Sequence, residues 1–331
     1  MARISDSVTS DYVFADYAKP MEPAPRVLLL DYPGALPSAV LGLVDILSHA
    51  GLRPEIVRAQ DMTAAGWANM PGASAILLPP AATAPDPAAH PDLPRWIATQ
   101  ALQGALICSA CVGVIWVAAA GLDAGRPVTT HWGAGHDLQR HWPDLQINTD
   151  RLVIEYDDLV TAGGLMAWVD LALIVIERLC GHAKMLETAR HFVVDPGRRD
   201  QRRFQRFQPR FDHGDAKVAE AQHGLARDLA HPPALPLLAQ RLGLSPRSLQ
   251  RRFQRATGLT VTQYLQQLRI EHAKTLLADS ALPVAEVAAQ SGYQDLPAFH
   301  RVFGRISGQT PAAFRKSLRD MTKGGARGTA P

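Results

Sequence analysis

Residues 235–253 read LPLLAQRLGLSPRSLQRRF, and residues 284–303 read VAEVAAQSGYQDLPAFHRVF, two stretches built on one plan. In the first, Ala239 stands four residues before Gly243, and Leu249 and Phe253 follow four apart. In the second, Ala288 stands four before Gly292, and Phe299 and Phe303 follow four apart. A small Ala lets two helices approach, a Gly supplies a turn with φ > 0, and the paired apolar residues mark the inner face of the next helix. Each stretch therefore reads as helix, tight turn, helix. With their glycines 49 residues apart, the two units can present helices to successive major-groove faces of a duplex about 34 Å apart.

Ser245 and Pro246 supply the cap and first residue of the helix after the first turn. Leu249 and Phe253 turn inward, which leaves Arg247, Gln250, Arg251 and Gln254 outward. Arg suits guanine O6/N7 and Gln suits adenine N6/N7, so this face has the donors for base readout. The outward positions of the second unit are Leu296, Pro297, His300 and Arg301. Only Arg301 and His300 among these can donate hydrogen bonds, so this helix is expected to hold the duplex more than read it. Residues 262–278, with Tyr264, Leu268, Ile270, Ala273 and Leu276, are expected as a long helix joining the units, and residues 218–230 as the helix that opens the domain.

Charge divides along the chain in the same sense. Residues 1–196 hold 12 Lys+Arg against 21 Asp+Glu, a net of −9, whereas residues 197–331 hold 22 against 10, a net of +12. A basic module joined to an acidic one is a nucleic-acid signal, because Lys and Arg displace counterions from phosphate. At 331 residues the chain can bury two cores. The organisation expected is a disordered arm at 1–24, a first domain at 25–195, a basic linker at 196–216, a second domain at 217–320 and a disordered tail at 321–331. The first 24 residues carry Asp6, Asp11 and Asp16 without a sustained apolar run, unlike a signal peptide or anchor. No run reaches the roughly 18 to 20 apolar residues that span a bilayer, so no membrane partner is expected. Cys108, Cys111 and Cys180 make no disulfide framework, which suits a reducing cytoplasm.

The first domain alternates apolar runs with helical periods. RVLLLD (26–31) ends at Tyr32-Pro33-Gly34, residues 37–50 are helical, and residues 75–78 form a run stopped by Pro79-Pro80. Residues 94–102 read as helix, 105–109 as a buried strand, 112–120 as helix, 150–156 with 158–161 as a hairpin, and 166–179 as a long helix. Fully apolar strands between helices indicate a parallel sheet covered on both faces. At LICSACVG (106–113) such a strand passes directly into a helix, which makes Cys111 the elbow residue, its side chain expected at the exposed carboxyl edge of the sheet near helix N-terminal amides. Cys108 falls inside the strand and reads as core rather than as half of a redox CxxC pair. His136 and His141 lie in a polar segment without a ligand cluster, so neither metal nor cofactor is expected. The linker, GRRDQRRFQRFQPRFDH (197–213), interleaves Arg with Phe204, Phe207 and Phe211; a DNA-contacting arm is its second reading.

CVG (111–113), AGL (120–122), GRPVTTHW (125–132) and TAGG (161–164) resemble the class I glutamine-amidotransferase-like domain shared with the PfpI-type peptidase family. That resemblance implies a flavodoxin-like α/β parallel-sheet sandwich whose elbow Cys lies near a His, here matching His131. Catalytic members add a carboxylate from the helix after the first strand, and LPSAVL (36–41) has none. A nucleophile needs a base or a depressed pKa, so a ligand pocket without catalysis is expected, drawn from Tyr32, Pro33, Gly34, Pro80, Cys111, Val112, His131, Trp132 and Gly163.

Residues 218–319 resemble the AraC/XylS-type DNA-binding domain, most specifically through AEVAAQSGY (285–293), FHRVF (299–303), Gly308, Pro311 and Phe314-Arg315. That resemblance implies an all-α domain with two helix-turn-helix units. Together the halves resemble GlxA/FtrA-type transcription regulators, which implies an activator whose first domain senses a small-molecule effector and forms a homodimer, with double-stranded DNA and RNA polymerase as partners. Pro297 and the glycine-free Pro79-Pro80-Ala81 loop depart from that pattern. Another class remains open: a cysteine-dependent hydrolase or amidase fused to a DNA-targeting domain, which requires a depressed Cys111 pKa. An architectural DNA binder would instead lack a deep pocket in the first domain.

Overall fold

The run RVLLLD forms β1 (Arg26–Asp31) with side chains buried on both faces. Val27 and Leu29 join one apolar layer, Leu28 and Leu30 the other, because successive side chains of a strand alternate. The computed structural model describes residues 24–197 and 200–323. The arm expected at 1–24 lies, apart from Ala24, outside the described residues, as do residues 324–331 of the expected tail.

From β1 the chain runs through α1 (Pro37–His49), β2 (Arg53–Arg58), α2 (Ala64–Ala68), β3 (Ala75–Leu78), α3 (Asp92–Leu102), β4 (Leu106–Ala110), α4 (Val114–Ala119), α5 (Gly135–His141), β5 (Val153–Glu155), β6 (Leu159–Ala162), α6 (Trp168–Cys180) and α7 (His182–His191). Among the described residues these strands form a six-stranded sheet in the order β2-β1-β3-β4-β6-β5. The pairings are parallel except β5 with β6, the expected hairpin at one edge. Helices α1, α6 and α7 cover one face, and α2, α3 and α4 the other. The sequence pattern does not announce β2, since RPEIVR is an edge strand in which only Val57 is buried.

The second domain comprises α8 (Ala216–Arg227), α9 (Leu235–Arg241), α10 (Pro246–Thr257), α11 (Val261–Asp279), α12 (Val284–Gln290), α13 (Leu296–Ser307) and α14 (Pro311–Lys323). Helix α14 continues three residues into the segment expected as a tail. The domain has two small cores, one around Ala239, Leu249, Phe253 and Tyr264, the other around Ala288, Phe299, Phe303 and Phe314. Helix α11 contributes Tyr264 to the first and Ile270, Ala273 and Leu277 to the second, so it is the spine of both.

The repeat extends further than the two quoted stretches. Gly258 (φ +74°) and Gly308 (φ +73°) end α10 and α13 in left-handed C-caps. Each is followed by a Thr whose hydroxyl accepts an amide of the next helix, Thr260 from Gln263 and Thr310 from Ala313. An edge-to-face ring pair then locks each unit: Phe253 on Tyr264 at 5.2 Å and Phe303 on Phe314 at 5.8 Å between centroids.

Candidate functional site

Both recognition helices are capped alike. The Ser245 hydroxyl accepts from the Ser248 amide and the Asp295 carboxylate from the Ala298 amide, with a Pro in the first turn of each helix. Gly243 (φ +62°) and Gly292 (φ +84°) make the turns. Because Leu249 and Phe253 are fully buried, Arg247, Gln250, Arg251 and Gln254 share one exposed face of α10. The Gln254 amide already donates to the Gly258 carbonyl at 2.8 Å, which leaves Arg247, Gln250 and Arg251 as the freer donors. Arg252 turns the other way and makes a two-pronged pair with Asp215, Nε–Oδ2 2.9 Å and Nη2–Oδ1 2.8 Å, tying α10 to the N-cap of α8. On α13, His300 and Arg301 are exposed, Arg301 loosely paired with Asp295 at 3.9 Å.

In the first domain Cys111 is the elbow, a non-glycine residue at φ +56°, held where the Thr130 hydroxyl donates to its carbonyl at 2.8 Å. The expected exposure of its side chain is not found. Cys111 is 4% exposed and packs with Tyr32, Val112 and Trp116 in the α2–α4 layer. A Cβ on Gly113 would lie 2.7 Å from the Leu78 carbonyl oxygen, so glycine is what allows the elbow to sit this tightly on β3. Burial pushes the Cys111 thiol up, and the backbone amides of Val112 and His131 only partly oppose it. The first turn of α1 carries no acid. Cys108 packs in the opposite layer, with α1 and α6, so the two cysteines lie on different faces of the sheet.

A cavity of about 610 Å³ is walled by His131, Trp132, Gly163, Met166, Gln201 and Phe204, and the elbow residues Cys111 and Val112, expected to line a pocket, are packed in the apolar layer and do not reach it. Of the expected pocket residues the structure brings His131, Trp132 and Gly163 to this wall. Tyr32 is buried beneath the elbow, its hydroxyl donating to the Pro79 carbonyl, and burial raises its pKa. Pro33, Gly34 and Pro80 belong to a turn beside the β3 end, joined by Ala82 N–H to Gly34 O and Leu36 N–H to Pro80 O, both 2.9 Å. Desolvation lowers the pKa of the His131 imidazole, whose Nδ1 accepts from the Gly133 amide at 3.1 Å. A larger cleft, about 730 Å³, lies between α5 and the first helix-turn-helix unit, where Arg210 pairs with both Asp137 and Asp212. Among the described residues no group of His, Cys, Asp and Glu is arranged to hold a metal ion, and no helix is long and apolar enough to cross a membrane.

Gln201 is the site residue that sequence reasoning missed. It sits in an arginine-rich segment read as linker, yet it is 2% exposed. Its side-chain amide donates to the carbonyls of Thr130 and Arg151, both at 2.9 Å, and to the Thr129 hydroxyl at 3.2 Å, while its Oε1 accepts from the Trp132 amide at 3.2 Å. A Cβ on Gly163 would fall 2.0 Å from its Nε2. Nothing local in the sequence distinguishes this glutamine from Gln205 or Gln208.

Two capped helix–turn–helix units on a shared central helix define a DNA-binding domain, here joined to a mostly parallel, helix-flanked sheet. A family model described as a helix-turn-helix domain matches residues 238–317, and this part of the chain is an AraC-type helix-turn-helix domain. Over 91 residues the chain is 42% identical to the HTH-type transcriptional activator RhaR of Salmonella schwarzengrund, covering 28% of this chain and 32% of that one. The chain thus spans about a third of the length of the RhaR proteins it matches. Over 242 residues it is 27% identical to the HTH-type transcriptional regulator CdhR of Pseudomonas aeruginosa, covering 70% of this chain and 69% of that one. Among solved structures, a cysteine-to-alanine mutant of a DJ-1 superfamily protein from Salmonella typhimurium is similar over 52% of this chain and 99% of its own, at 24% identity and a TM-score of 0.44.

Proposed function

We propose that this chain is a transcription regulator that binds double-stranded DNA, reading bases with α10 and holding the duplex with α13. The observation that carries this reading is the pair of recognition helices mounted on α11, each capped, each with its apolar residues turned inward, and the first with Arg247, Gln250 and Arg251 exposed together. The net charge of +12 over residues 197–331 suits a phosphate backbone. Activation rather than repression is favoured because the RhaR relatives are transcriptional activators.

In this reading the first domain takes a small-molecule effector in the cavity beside His131 and Trp132, and the protein acts as a cytoplasmic homodimer that engages RNA polymerase. It is a sensor and not an enzyme. The Cys111 thiol is buried and held in its neutral form, with no acid in the first turn of α1 to orient a base. The test is binding to randomised duplexes. Arg251→Ala should lower affinity for the selected site by about 1 to 3 kcal/mol and relax preference at one base pair. Equal weakening on every sequence would make Arg251 a phosphate contact, and the same result for Arg247→Ala and Gln250→Ala would remove α10 as the reading helix.

A further inference from the structure

Five residues within 201–207 divide their contacts between the two domains. Gln201 is sealed into the first domain at Thr129, Thr130, Arg151 and Trp132. Arg202 reaches the second: its guanidinium, paired with Asp200 through Nε at 2.8 Å, also donates to the Arg305 carbonyl at 3.3 Å, and a Cβ on Gly308, the C-cap of α13, would lie only 3.2 Å from the Arg202 Cβ. Phe204 returns to the cavity wall. Gln205 serves both, its side chain donating to the Thr149 carbonyl at 2.9 Å and its own carbonyl accepting from Lys274 of α11 at 2.8 Å. Phe207 packs edge-to-face on Tyr264 at 5.1 Å in the core of the first helix-turn-helix unit.

We propose that residues 201–207 form a strap coupling the cavity to recognition helix α13 and to α11, the spine of both units, with the Gln201 carboxamide occupying the cavity floor in place of an effector's polar group. This rests on the sensing role proposed above and names how that site is regulated. Adjacent Cα atoms are about 3.8 Å apart, so a shift of the Gln201 backbone that accompanies its displacement moves Arg202 away from the α13 cap. The chemistry of the displacing group follows from what Gln201 satisfies. Thr130 O and Arg151 O need donors and the Trp132 N–H needs an acceptor, and buried polar groups left unpaired are strongly disfavoured. A group with two N–H donors and one acceptor, a primary carboxamide, meets all three. Effector entry then frees the strap, and α13 loses its Arg202 anchor and α11 its Gln205 anchor at Lys274.

Hydrogen exchange on the full chain, without DNA, tests this. Gln201→Ala removes the side-chain amide and should speed exchange by about fivefold or more, the worth of one net hydrogen bond, both at residues 129–132 and at residues 305–308. Acetamide, the group removed, should restore protection at both places in Gln201→Ala, whereas acetate, which lacks the donors, should not. Arg202→Ala attacks the strap from the other end and should loosen residues 129–132 as well as 305–308; it also serves if Gln201→Ala does not fold. Changes confined to the residues next to each substitution would overturn the coupling, and equal rescue by acetate, or none by acetamide, would overturn the carboxamide assignment. Loss of sequence-specific DNA binding in the wild type would sink the regulator reading without altering these exchange rates, so the two failures are distinguishable.

Discussion

Gly292→Ala and Gly243→Ala place the same change at equivalent turns of the two units, and the structure assigns them different consequences. Both glycines have positive φ, +84° and +62°, so alanine at either position meets a backbone penalty of roughly 1 to 2 kcal/mol. At Gly243 the added Cβ would meet nothing nearer than the Lys217 Nζ at 3.8 Å, the movable end of a long side chain. At Gly292 it would lie 2.4 Å from the Leu229 carbonyl oxygen and 2.7 Å from Arg269 Nε. Those two atoms are hydrogen-bonded to each other at 2.8 Å, so relieving the clash separates them. Losing a bond to a charged donor adds about 1.5 to 3 kcal/mol, giving roughly 2.5 to 5 kcal/mol for Gly292→Ala. The difference between the variants, about 1.5 to 3 kcal/mol, corresponds to roughly 10- to 150-fold in opening equilibrium. Hydrogen exchange at the Phe299 and Phe303 amides for Gly292→Ala, set beside the Leu249 and Phe253 amides for Gly243→Ala, reads each unit separately. Equal acceleration in the two variants would refute the role of Arg269 and Leu229 in the second turn.

Acid should loosen the first unit in a way that Asp215 controls. The Arg252 guanidinium holds the Asp215 carboxyl below the usual carboxylate range, so the pair stabilises the fold above the unfolded pKa of about 4 and is lost as pH falls through the folded value. Asn caps a helix as well as Asp, so Asp215→Asn should lower stability at pH 7 yet flatten the decline below about pH 4, as measured by urea midpoints across that range. An unchanged acid limb would mean the pair contributes nothing. The raised pKa of Cys111 means its thiolate appears only at high pH. Iodoacetamide at pH 7.5 should therefore label half-buried Cys180 before Cys111, with the Cys111 rate still climbing past pH 9. A Cys111 plateau below pH 8 would restore the hydrolase alternative.

Both domains could be read from periodicity and turn chemistry, because these signals are local. RVLLLD, AILL and LICSA are apolar throughout because each strand is buried on two faces. Ser245-Pro246 and Gly243 mark a helix start and a left-handed turn within four residues, which is all that capping needs. The outward set on α10 follows from 3.6-residue spacing once Leu249 and Phe253 are placed inside. Strand β2 escaped because an edge strand with one buried side chain has no pattern to show.

Only the tertiary structure decided the state of Cys111 and the use of Gln201. An elbow motif specifies a backbone angle, but whether the thiol meets water depends on Tyr32, just after β1, and Trp116 of α4, which pack with it in one apolar layer. Desolvation then sets its protonation, and desolvation is a property of everything packed around a group and not of its neighbours in sequence. Gln201 finds its partners 50 to 72 residues away along the chain. A glutamine that is solvated in one context and sealed between four backbone and hydroxyl groups in another has the same local sequence in both, so only the approach of β6, the Thr129–Trp132 loop and the segment after Asp200 could reveal it.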